Sequence, residues 1–446
     1  MTTPICDFVK KYIEADLIRL HMPGHKGAAM LGAEPYDITE IDGADVLYSA
    51  DGIIKESEAN ASALFGTSLT KYSAEGSSLA IRAMLYLAAA AAGSKGSRPL
   101  IAAGRNAHKV FFTAAALLDI DVMWLYGKNS GNLLSCSVQP KELEAHFALS
   151  ARLPDAVYIT SPDYLGNISD ISGLSQVCRR YGVLLLVDNA HGAYLNFLPE
   201  SRHPISLGAH MCCDSAHKTL PVLTGGAYLH ISESAPEICR EMAESALSLF
   251  ASTSPSYLIL ESLDLANRYI SEGYPDKLRL LCGRLAQLKS ALSDRGYTVI
   301  GDEPTKLTLR TKNYGYTGHE LAAILHKSGI ICEFHDPDNI VMMFSPEITS
   351  EQIDRLENAL ISVPKRTPIN VCPPPIHQGT PALSVREAML GLSEEVGVSD
   401  AVGRVLADAN VSCPPAVPIA VCGEVIDEAA VEAFRYYGIE KIRVVK

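Results

Sequence analysis

The sequence has little that would support a secreted, membrane-bound or metal-binding protein. Its 11 cysteines include no Cys-x-x-Cys pair and no Cys/His spacing typical of zinc, so we expect reduced structural thiols and no metal site. The longest run of small apolar residues, 85–92, is too short to cross a bilayer. The N-terminal segment has no apolar run that could serve as a signal peptide. We therefore expect a cytoplasmic protein.

Clusters of basic residues are also missing from the sequence. The net charge is −13, which makes nucleic acids and anionic membranes poor partners and mildly favours a cationic small molecule. A chain of 446 residues is too long for one hydrophobic core, so we expect two or three domains.

Residues 182–229 contain two short, continuously apolar strands that end in polar residues. The first strand, 183–187, leads to Asp188, and the second, 209–213, precedes Lys218. Buried parallel strands have this pattern, and their carboxyl ends meet at one edge of a sheet. Pyridoxal 5′-phosphate (PLP) requires an amine for a Schiff base and a carboxylate that keeps the pyridine nitrogen protonated. A solvated lysine after an ordinary strand is the alternative interpretation.

A phosphate site is predicted at the start of an Ala/Leu-rich helix. Gly76, Ser77 and Ser78 run directly into this helix, which ends at Gly93. Small hydroxyl residues at a helix N-terminus offer hydroxyls, backbone N–H groups and the positive end of the helix dipole to a phosphate. An ordinary N-cap is the alternative, because serine is common at that position.

Strands and helices alternate through the first half of the chain, which predicts a largely parallel sheet with right-handed crossovers. His108 directly follows a strand, so its ring could stack on a bound cofactor or could cap its own helix. The predicted strands are 100–103, 122–125, 156–160, 183–187 and, further along the chain, 227–231. The predicted helices are 108–118, 140–148 and 174–181.

A smaller α+β unit is predicted after residue 270. Its strands are 297–300, 307–310 and 340–344, and its helices are 276–293, 317–327 and 349–360. The proline-rich segment 364–381 is typical of a linker. Near the N-terminus we expect a helix over 5–20, followed by HMPGHKG (21–27), which is either a surface turn or an arm that reaches an active site.

Seven motifs, in chain order, resemble those of the bacterial Orn/Lys/Arg decarboxylases, a family built on the aminotransferase-like, fold type I PLP scaffold. They span nearly the whole chain and resemble the compact members, which lack the N-terminal wing domain. The motifs are HMPGHKG (21–27), EGSS (75–78), RNAHK (105–109), DNAHGAYLNF (188–197), DSAHK (214–218), STSPSY (252–257) and CPPAVPIAVCGE (413–424).

The resemblance implies a catalytic role for four residues. Lys218 would carry the cofactor as a Schiff base, and Asp188 would pair with the pyridinium nitrogen. His108 would stack on the face of the ring, and either Lys218 or His217 would return a proton to the substrate. In addition, Glu424 resembles a residue that closes over the substrate.

The resemblance also implies how the phosphate is held. The family's phosphate-binding positions correspond here to Ser77, Ser78, Ser215 and His217. Ser252 or Thr253 would reach the phosphate of the neighbouring subunit, which implies a homodimer with shared active sites.

The implied fold is α/β, with a mainly parallel central sheet, a smaller α+β domain and a C-terminal α+β domain. The division along the chain would be an N-terminal arm (1–60), a large PLP-binding domain (61–270), a small α+β domain (271–364) and a C-terminal domain (365–446).

The implied activity is PLP-dependent α-decarboxylation of a basic amino acid, a carboxy-lyase reaction of polyamine biosynthesis. Arginine is slightly favoured over lysine and ornithine by analogy alone. Aminotransferases and aldolases use the same set of residues and are the second alternative. A transaminase would need an arginine that binds the α-carboxylate of the substrate, and Arg310 is a candidate by position. A non-catalytic regulatory relative is the third alternative, and such relatives usually lack the lysine or the strand aspartate. One departure is Asn189, where the family usually has an acidic residue; we expect the ring chemistry to survive it.

Overall fold

The structure, a computed structural model, describes residues 1–93, 98–127, 135–374, 379–408, 412–413 and 417–446. The chain divides into two compact units. The first unit comprises Met1–Ser97 and Cys178–Asp276, and the second comprises Arg98–Val177 and Lys277–Lys446.

The helices are amphipathic or, where they are covered on all sides, rich in alanine and leucine. In chain order they are α1 Pro4–Glu14, α2 Ile53–Phe65, α3 Gly76–Ala92, α4 Lys109–Leu118, α5 Pro140–Leu149, α6 Ile171–Tyr181, α7 Ala216–Thr219, α8 Glu237–Glu241, α9 Ala243–Ser248, α10 Tyr257–Ser271, α11 Tyr274–Arg295, α12 Gly318–Lys327, α13 Ser350–Ser362, α14 Val385–Leu390 and α15 Glu428–Tyr436.

The strands are short. In chain order they are β1 Leu69–Ser73, β2 Leu100–Gly104, β3 Asp121–Leu125, β4 Ala156–Thr160, β5 Leu184–Asp188, β6 Met211–Asp214, β7 Ala227–Ile231, β8 Thr298–Ile300, β9 Lys306–Arg310, β10 Phe334–His335, β11 Asn339–Met343, β12 Thr380–Pro381, β13 Ser393–Gly397, β14 Ser412–Cys413, β15 Val417–Pro418, β16 Glu424–Val425 and β17 Lys441–Val445.

The strands of the first unit lie in the order β1-β7-β6-β5. Strands β5 and β6 run parallel, whereas β7 is antiparallel to both of its neighbours, β1 and β6. The long helix α3 packs against β6 and β7, and α1 packs against α2 and α10. Because the parallel pair ends at Asp188 and Asp214, the residues that follow these two strands start from the same edge of the sheet.

The second unit contains two separate sheets of several strands. Strands β3, β2 and β4 are parallel. Strands β10, β11, β9 and β8 form an antiparallel sheet, and the apolar faces of α11, α12 and α13 join it in one core with Leu288, Leu309, Leu325 and Leu360. Thr317 and Thr349 begin α12 and α13 with capping boxes.

The last residues of the second unit form a small α+β cluster. Strand β13 pairs antiparallel with β17, and β12 pairs with β16. Their core is centred on Phe434 of α15, together with Leu406, Ile426 and Val444. The pairing of β12 with β16 places Glu424 opposite Pro381.

Most predicted elements are confirmed, some to the residue, as for strands 156–160 and 227–231. The first helix is shorter than predicted, because it ends at Glu14 and Asp16 adopts a positive φ of 47°. Strand β1 was not predicted. The division into four domains stays a prediction, and part of the predicted linker and of the motif at 413–424 lies outside the described residues.

Two expectations about the whole chain can be compared with the described residues. No described helix is both long enough and apolar enough to cross a membrane. The described cysteines are unpaired thiols, and most of them are buried, as expected for structural cysteines.

Candidate active site

Asp188 and Lys218 follow the two parallel strands of the first unit, as predicted. Asp188 is the last residue of β5, is 2% exposed, and is the register partner of Cys213 in β6. Its Oδ1 accepts hydrogen bonds from the backbone N–H of Ala190 at 3.2 Å and from the thiol of Cys213 at 3.6 Å. Burial and the charge of Asp188 raise the pKa of the Cys213 thiol, so the thiol stays protonated and can donate. Lys218 lies in the short helix α7, which directly follows β6.

His191 contacts Lys218 directly. It lies in the turn after β5, is 7% exposed, and brings its Nε2 to 3.1 Å from the Lys218 Nζ. An amine N–H donates and an unprotonated imidazole nitrogen accepts, so this contact orients the lysine amine. No role for His191 was predicted from the sequence, although its place in the DNAHG motif, close after Asp188, was a usable signal.

Hydroxyl groups from two elements meet at the start of α3. The Ser215 hydroxyl donates to the Ser77 hydroxyl over 2.8 Å, and Ser78 follows in the first turn. Gly76 has a φ of 70°, a conformation that favours glycine, and its N–H donates to the carbonyl of Gly225 at 2.6 Å. The first turn of α3 contains no acidic residue, so the helix N-terminus is suited to an anion.

The segment with Ser252 and Thr253 is fixed to the residue before α3. The backbone N–H of Ser252 donates to Glu75 Oε1 at 2.6 Å. The side chains of Ser252 and Thr253 are both exposed. The first unit therefore positions these two hydroxyls at its surface, next to the start of the helix that carries Ser77.

His217 is half-buried beside Lys218 and has a defined tautomer. Its Nδ1 lies 2.9 Å from the carbonyl oxygen of Gly226, so Nδ1 carries a proton and donates it. Burial lowers the pKa of His217, and the nearby Lys218 charge lowers it further, against the opposing effect of the Gly226 bond. A neutral ring in this tautomer leaves Nε2 as an acceptor, so Nε2 would have to bind a proton before it could donate to a phosphate or return a proton to a substrate.

His108 lies in the second unit, where it caps α4. Its Nδ1 accepts a hydrogen bond from the backbone N–H of Val110 at 3.3 Å. The capping interpretation of His108 is therefore correct for this nitrogen. Stacking on a cofactor concerns the face of the ring, is compatible with capping, and stays a prediction.

Glu424 forms a buried, bidentate ion pair with Arg105 in the second unit. The Arg105 Nη1 and Nη2 atoms each lie 2.8 Å from one carboxylate oxygen, and the two side chains are 5% and 3% exposed. The backbone N–H of Val421 also donates to Glu424 Oε2 at 2.8 Å. Since both oxygens are engaged, a substrate role for Glu424 requires Arg105 to share or release the carboxylate. The sequence did not predict this pairing.

Asn189 bonds to a carboxylate on the adjacent strand. Its Nδ2 donates to Asp214 Oδ1 at 2.6 Å, and both side chains are fully buried. Asn189, where the resemblance led us to expect an acidic residue, therefore lies against the carboxylate of Asp214, for which no function was predicted from the sequence.

Several solved structures share this fold. The lysine decarboxylase of Francisella novicida matches with a TM-score of 0.80 at 16% identity, covering 100% of this chain and 81% of that one. The constitutive lysine decarboxylase of E. coli gives 0.78 at 17% identity, covering 100% and 82%. A NifS-like protein gives 0.56 at 17% identity, covering 72% and 91%. The predicted fold class, an α/β aminotransferase-like scaffold of fold type I, is confirmed.

The sequence comparisons identify the family. The arginine decarboxylase of Bacillus subtilis is 29% identical over 469 residues, which cover 96% of this chain and 91% of the relative. That of Halalkalibacterium halodurans is 30% identical over 476 residues, with the same coverage. The profile of the Orn/Lys/Arg decarboxylase major domain matches residues 3–286, and that of the C-terminal domain matches residues 371–441. The chain belongs to the Orn/Lys/Arg decarboxylase family. The predicted enzyme class, a carboxy-lyase acting on a basic amino acid, is confirmed.

Proposed function

We propose that this protein is a PLP-dependent arginine decarboxylase. The observation that carries the proposal is that Lys218 and the buried Asp188 follow neighbouring parallel strands, in the same unit as the Ser77–Ser215 hydroxyl pair. An amine, a carboxylate and clustered hydroxyls at a helix N-terminus form the donor set that PLP needs, so these residues fit the cofactor. When bound, the cofactor would supply an electron sink for the electron pair left at the α-carbon as CO2 departs.

Lys218 and Asp188 would have distinct tasks. Lys218 would tether the cofactor until the substrate amine displaces it. Asp188 would keep the pyridine nitrogen protonated, because a nearby carboxylate favours the charged form of that nitrogen. The hydrogen bonds from Ala190 and Cys213 hold the Asp188 carboxylate in one orientation for this task.

The phosphate and ring contacts would come from several elements. The hydroxyls at the start of α3 and before α7 would bind the phosphate, and His108 would lie against the ring. The residues proposed for the phosphate are Ser77, Ser78, Ser215 and His217, with Ser252 or Thr253 contributing from the other subunit of a dimer.

Proton transfer would be carried out by the residues around the amine of Lys218. Once the substrate has displaced it, Lys218 would be free to return a proton to the α-carbon. His191, at 3.1 Å from Nζ, would hold the amine during this step. His217 is the second candidate donor, although its Nε2 would first have to accept a proton.

Arginine is the proposed substrate for two reasons. The curated relatives named above are called arginine decarboxylases and align over nearly the whole chain. The net charge of −13 also favours a substrate with a cationic head group. The product would be a polyamine precursor formed in the cytoplasm.

A homodimer is proposed because the N-terminal arm exposes large apolar side chains. Leu20 is 89% exposed and Leu31 is 95% exposed in the single chain. Large apolar side chains gain free energy when they are removed from water, and a second copy is the proposed partner that would cover them. Within each subunit, we propose the division into an arm (1–60), a PLP-binding domain (61–270), a small domain (271–364) and a C-terminal domain (365–446). Light scattering of the purified protein tests the dimer, which Leu20→Asp and Leu31→Asp together should dissociate.

A substrate panel tests the activity. Purified protein with PLP is mixed with arginine, lysine or ornithine, and CO2, amine and keto acid are each measured. The proposal predicts CO2 and amine, with the highest rate for arginine. Lys218→Ala should abolish turnover, and Lys441→Ala, a change at an exposed lysine far along the chain, should not. Formation of keto acid without CO2 would favour a transaminase instead, and no turnover by a cofactor-loaded protein would favour a regulatory relative.

A further inference from the structure

Asp214, the last residue of β6, is a completely buried carboxylate that three side chains surround. Its Oδ1 accepts from the Asn189 amide at 2.6 Å, and its Oδ2 lies 3.0 Å from His203 Nε2 and 3.3 Å from His230 Nε2. A buried carboxylate is stable only when its oxygens have polar partners, so these neighbours decide how the Asp214 side chain is held.

Three neighbours of Asp214 place nitrogen atoms against its carboxylate. The Thr70 hydroxyl lies 2.8 Å from Nδ1 of His230. With Thr70 donating to Nδ1, the proton of the neutral ring is on Nε2, which faces Asp214. Asn189 and His203 supply the other N–H groups that the carboxylate needs.

Asn189 connects Asp214 to the turn after β5 through its backbone hydrogen bonds. Its backbone N–H donates to the carbonyl of Cys213 at 3.0 Å, and its carbonyl accepts from the Gly192 N–H at 2.7 Å. A Cβ atom added to Gly192 would lie 2.0 Å from Asn189 Oδ1, so the turn is packed directly on this amide. The turn carries Asp188 at its start and His191 just before Gly192.

We propose that Asp214 is a positioning residue for the cofactor site, acting through Asn189 on the turn that holds Asp188 and His191. The inference rests on the proposed function, because it assumes that Asp188 and His191 face the cofactor and its lysine. The inference gives a role to the buried Asp214 carboxylate, which takes no part in the proposed reaction itself. It also explains how the site works with an asparagine at position 189: the carboxylate is supplied by the adjacent strand.

The first test compares Asn189→Ala with Asn339→Ala. Asn339 is a matched control, because it is a buried asparagine whose amide contacts a carboxylate, that of Asp336, in the second unit at 3.3 Å. Both changes should lower the melting temperature of the cofactor-free protein. Only Asn189→Ala should raise the dissociation constant for PLP, by about tenfold, the size typical when a supporting partner of a binding group is lost. The constant is measured by following the visible absorbance of the bound cofactor.

The second test exchanges the two side chains. Asn189→Asp brings two buried carboxylates together and should weaken PLP binding more than Asn189→Ala does. Adding Asp214→Asn restores one carboxylate and one amide in reversed order, and the double variant should recover PLP affinity to within about threefold of the wild type.

Three results would overturn the proposal. One is a dissociation constant of Asn189→Ala equal to that of the control. Another is a folded double variant that recovers no affinity. The third is a stoichiometric transition metal in the purified wild type, since His203, Asp214 and His230 would then be its ligands. A wild-type protein that binds no PLP would refute the proposed function itself. That result can be told apart from the three results above.

Discussion

The imidazole Nε2 of His191 lies 3.1 Å from the amine Nζ of Lys218. This contact joins the turn after β5 to the helix after β6, so it joins the two segments that carry the proposed cofactor-binding charges. An imidazole nitrogen at this distance can accept a hydrogen bond from the amine, so we expect His191 to orient the lysine amine and to exchange a proton with it.

Replacing His191 with glutamine should therefore reduce turnover more than binding. Glutamine can still form hydrogen bonds but cannot exchange a proton, so kcat should fall about a hundredfold, within the range usual for loss of acid–base assistance. KM for arginine and the visible absorbance of the bound cofactor should change little. His326→Gln, at an exposed position in α12, is the control. An unchanged kcat would mean that His191 takes no part in proton transfer.

Gly192 should not tolerate a side chain. Gly192→Ala would force a Cβ atom against Asn189 Oδ1, and we expect it to destabilise the protein by about 1–3 kcal/mol and to weaken PLP binding. Gly283→Ala, inside α11 with no atom within 4 Å of the added Cβ, should instead stabilise by about 0.5–1 kcal/mol. Urea unfolding of both variants checks this prediction, and equal effects would contradict the tight packing of the turn.

Replacing only one residue of the buried Arg105–Glu424 ion pair should strongly destabilise the protein. Glu424→Gln or Arg105→Gln leaves an uncompensated buried charge, so each should destabilise the protein by about 3–5 kcal/mol. The double variant should cost clearly less than the sum of the two, because no charge is then left unpaired. A double-mutant cycle from urea unfolding measures the coupling. Additive costs would show that the pair contributes no coupling energy, and Glu424 would then be easier to assign to the substrate.

Glu261 should make the protein less stable as the pH rises. Burial, followed by the charge of Asp264, raises the pKa of Glu261 to about 8. The folded state therefore retains a proton that the unfolded chain has released, so stability falls between the ordinary carboxyl pKa and about pH 8. Glu261→Gln should remove this loss and stabilise the protein at pH 8 by an amount on the order of a few kcal/mol, with little effect at acidic pH. Melting temperatures from pH 5 to pH 8 test this, with the exposed Glu241→Gln as the control. Parallel curves for wild type and Glu261→Gln would contradict the raised pKa.

The sequence predicted those elements whose local pattern matches their burial. Strands 156–160 and 227–231 are apolar runs that are buried along most or all of their length, and the pattern alone indicates their ends. Strand β1 was missed because it contains Lys71, whose buried amine lies 2.6 Å from Glu58 and 2.7 Å from Glu244, two partners outside β1 that its local pattern does not reveal. The first helix was predicted too long because Leu17, Ile18 and Leu20 continue its apolar pattern, although all three side chains are exposed in the structure.

The candidate site was predictable where single residues carry the chemistry. Lys218 and Asp188 stand out because an amine and a carboxylate each follow an apolar strand. The roles of Asn189 and Asp214 depend on a hydrogen bond between two strands that are far apart in the sequence. No local pattern indicates such a contact, so these residues could be assigned only after the strand register was known.

Mapping the cofactor attachment tests the central claim most directly. The purified protein is loaded with PLP and treated with borohydride, which makes a cofactor–lysine bond permanent, and its peptides are analysed by mass spectrometry. The account predicts one modified residue, Lys218, and a loss of this modification in Lys218→Ala while Lys441→Ala retains it. Attachment at another lysine, or a protein that takes up no cofactor, would contradict the account.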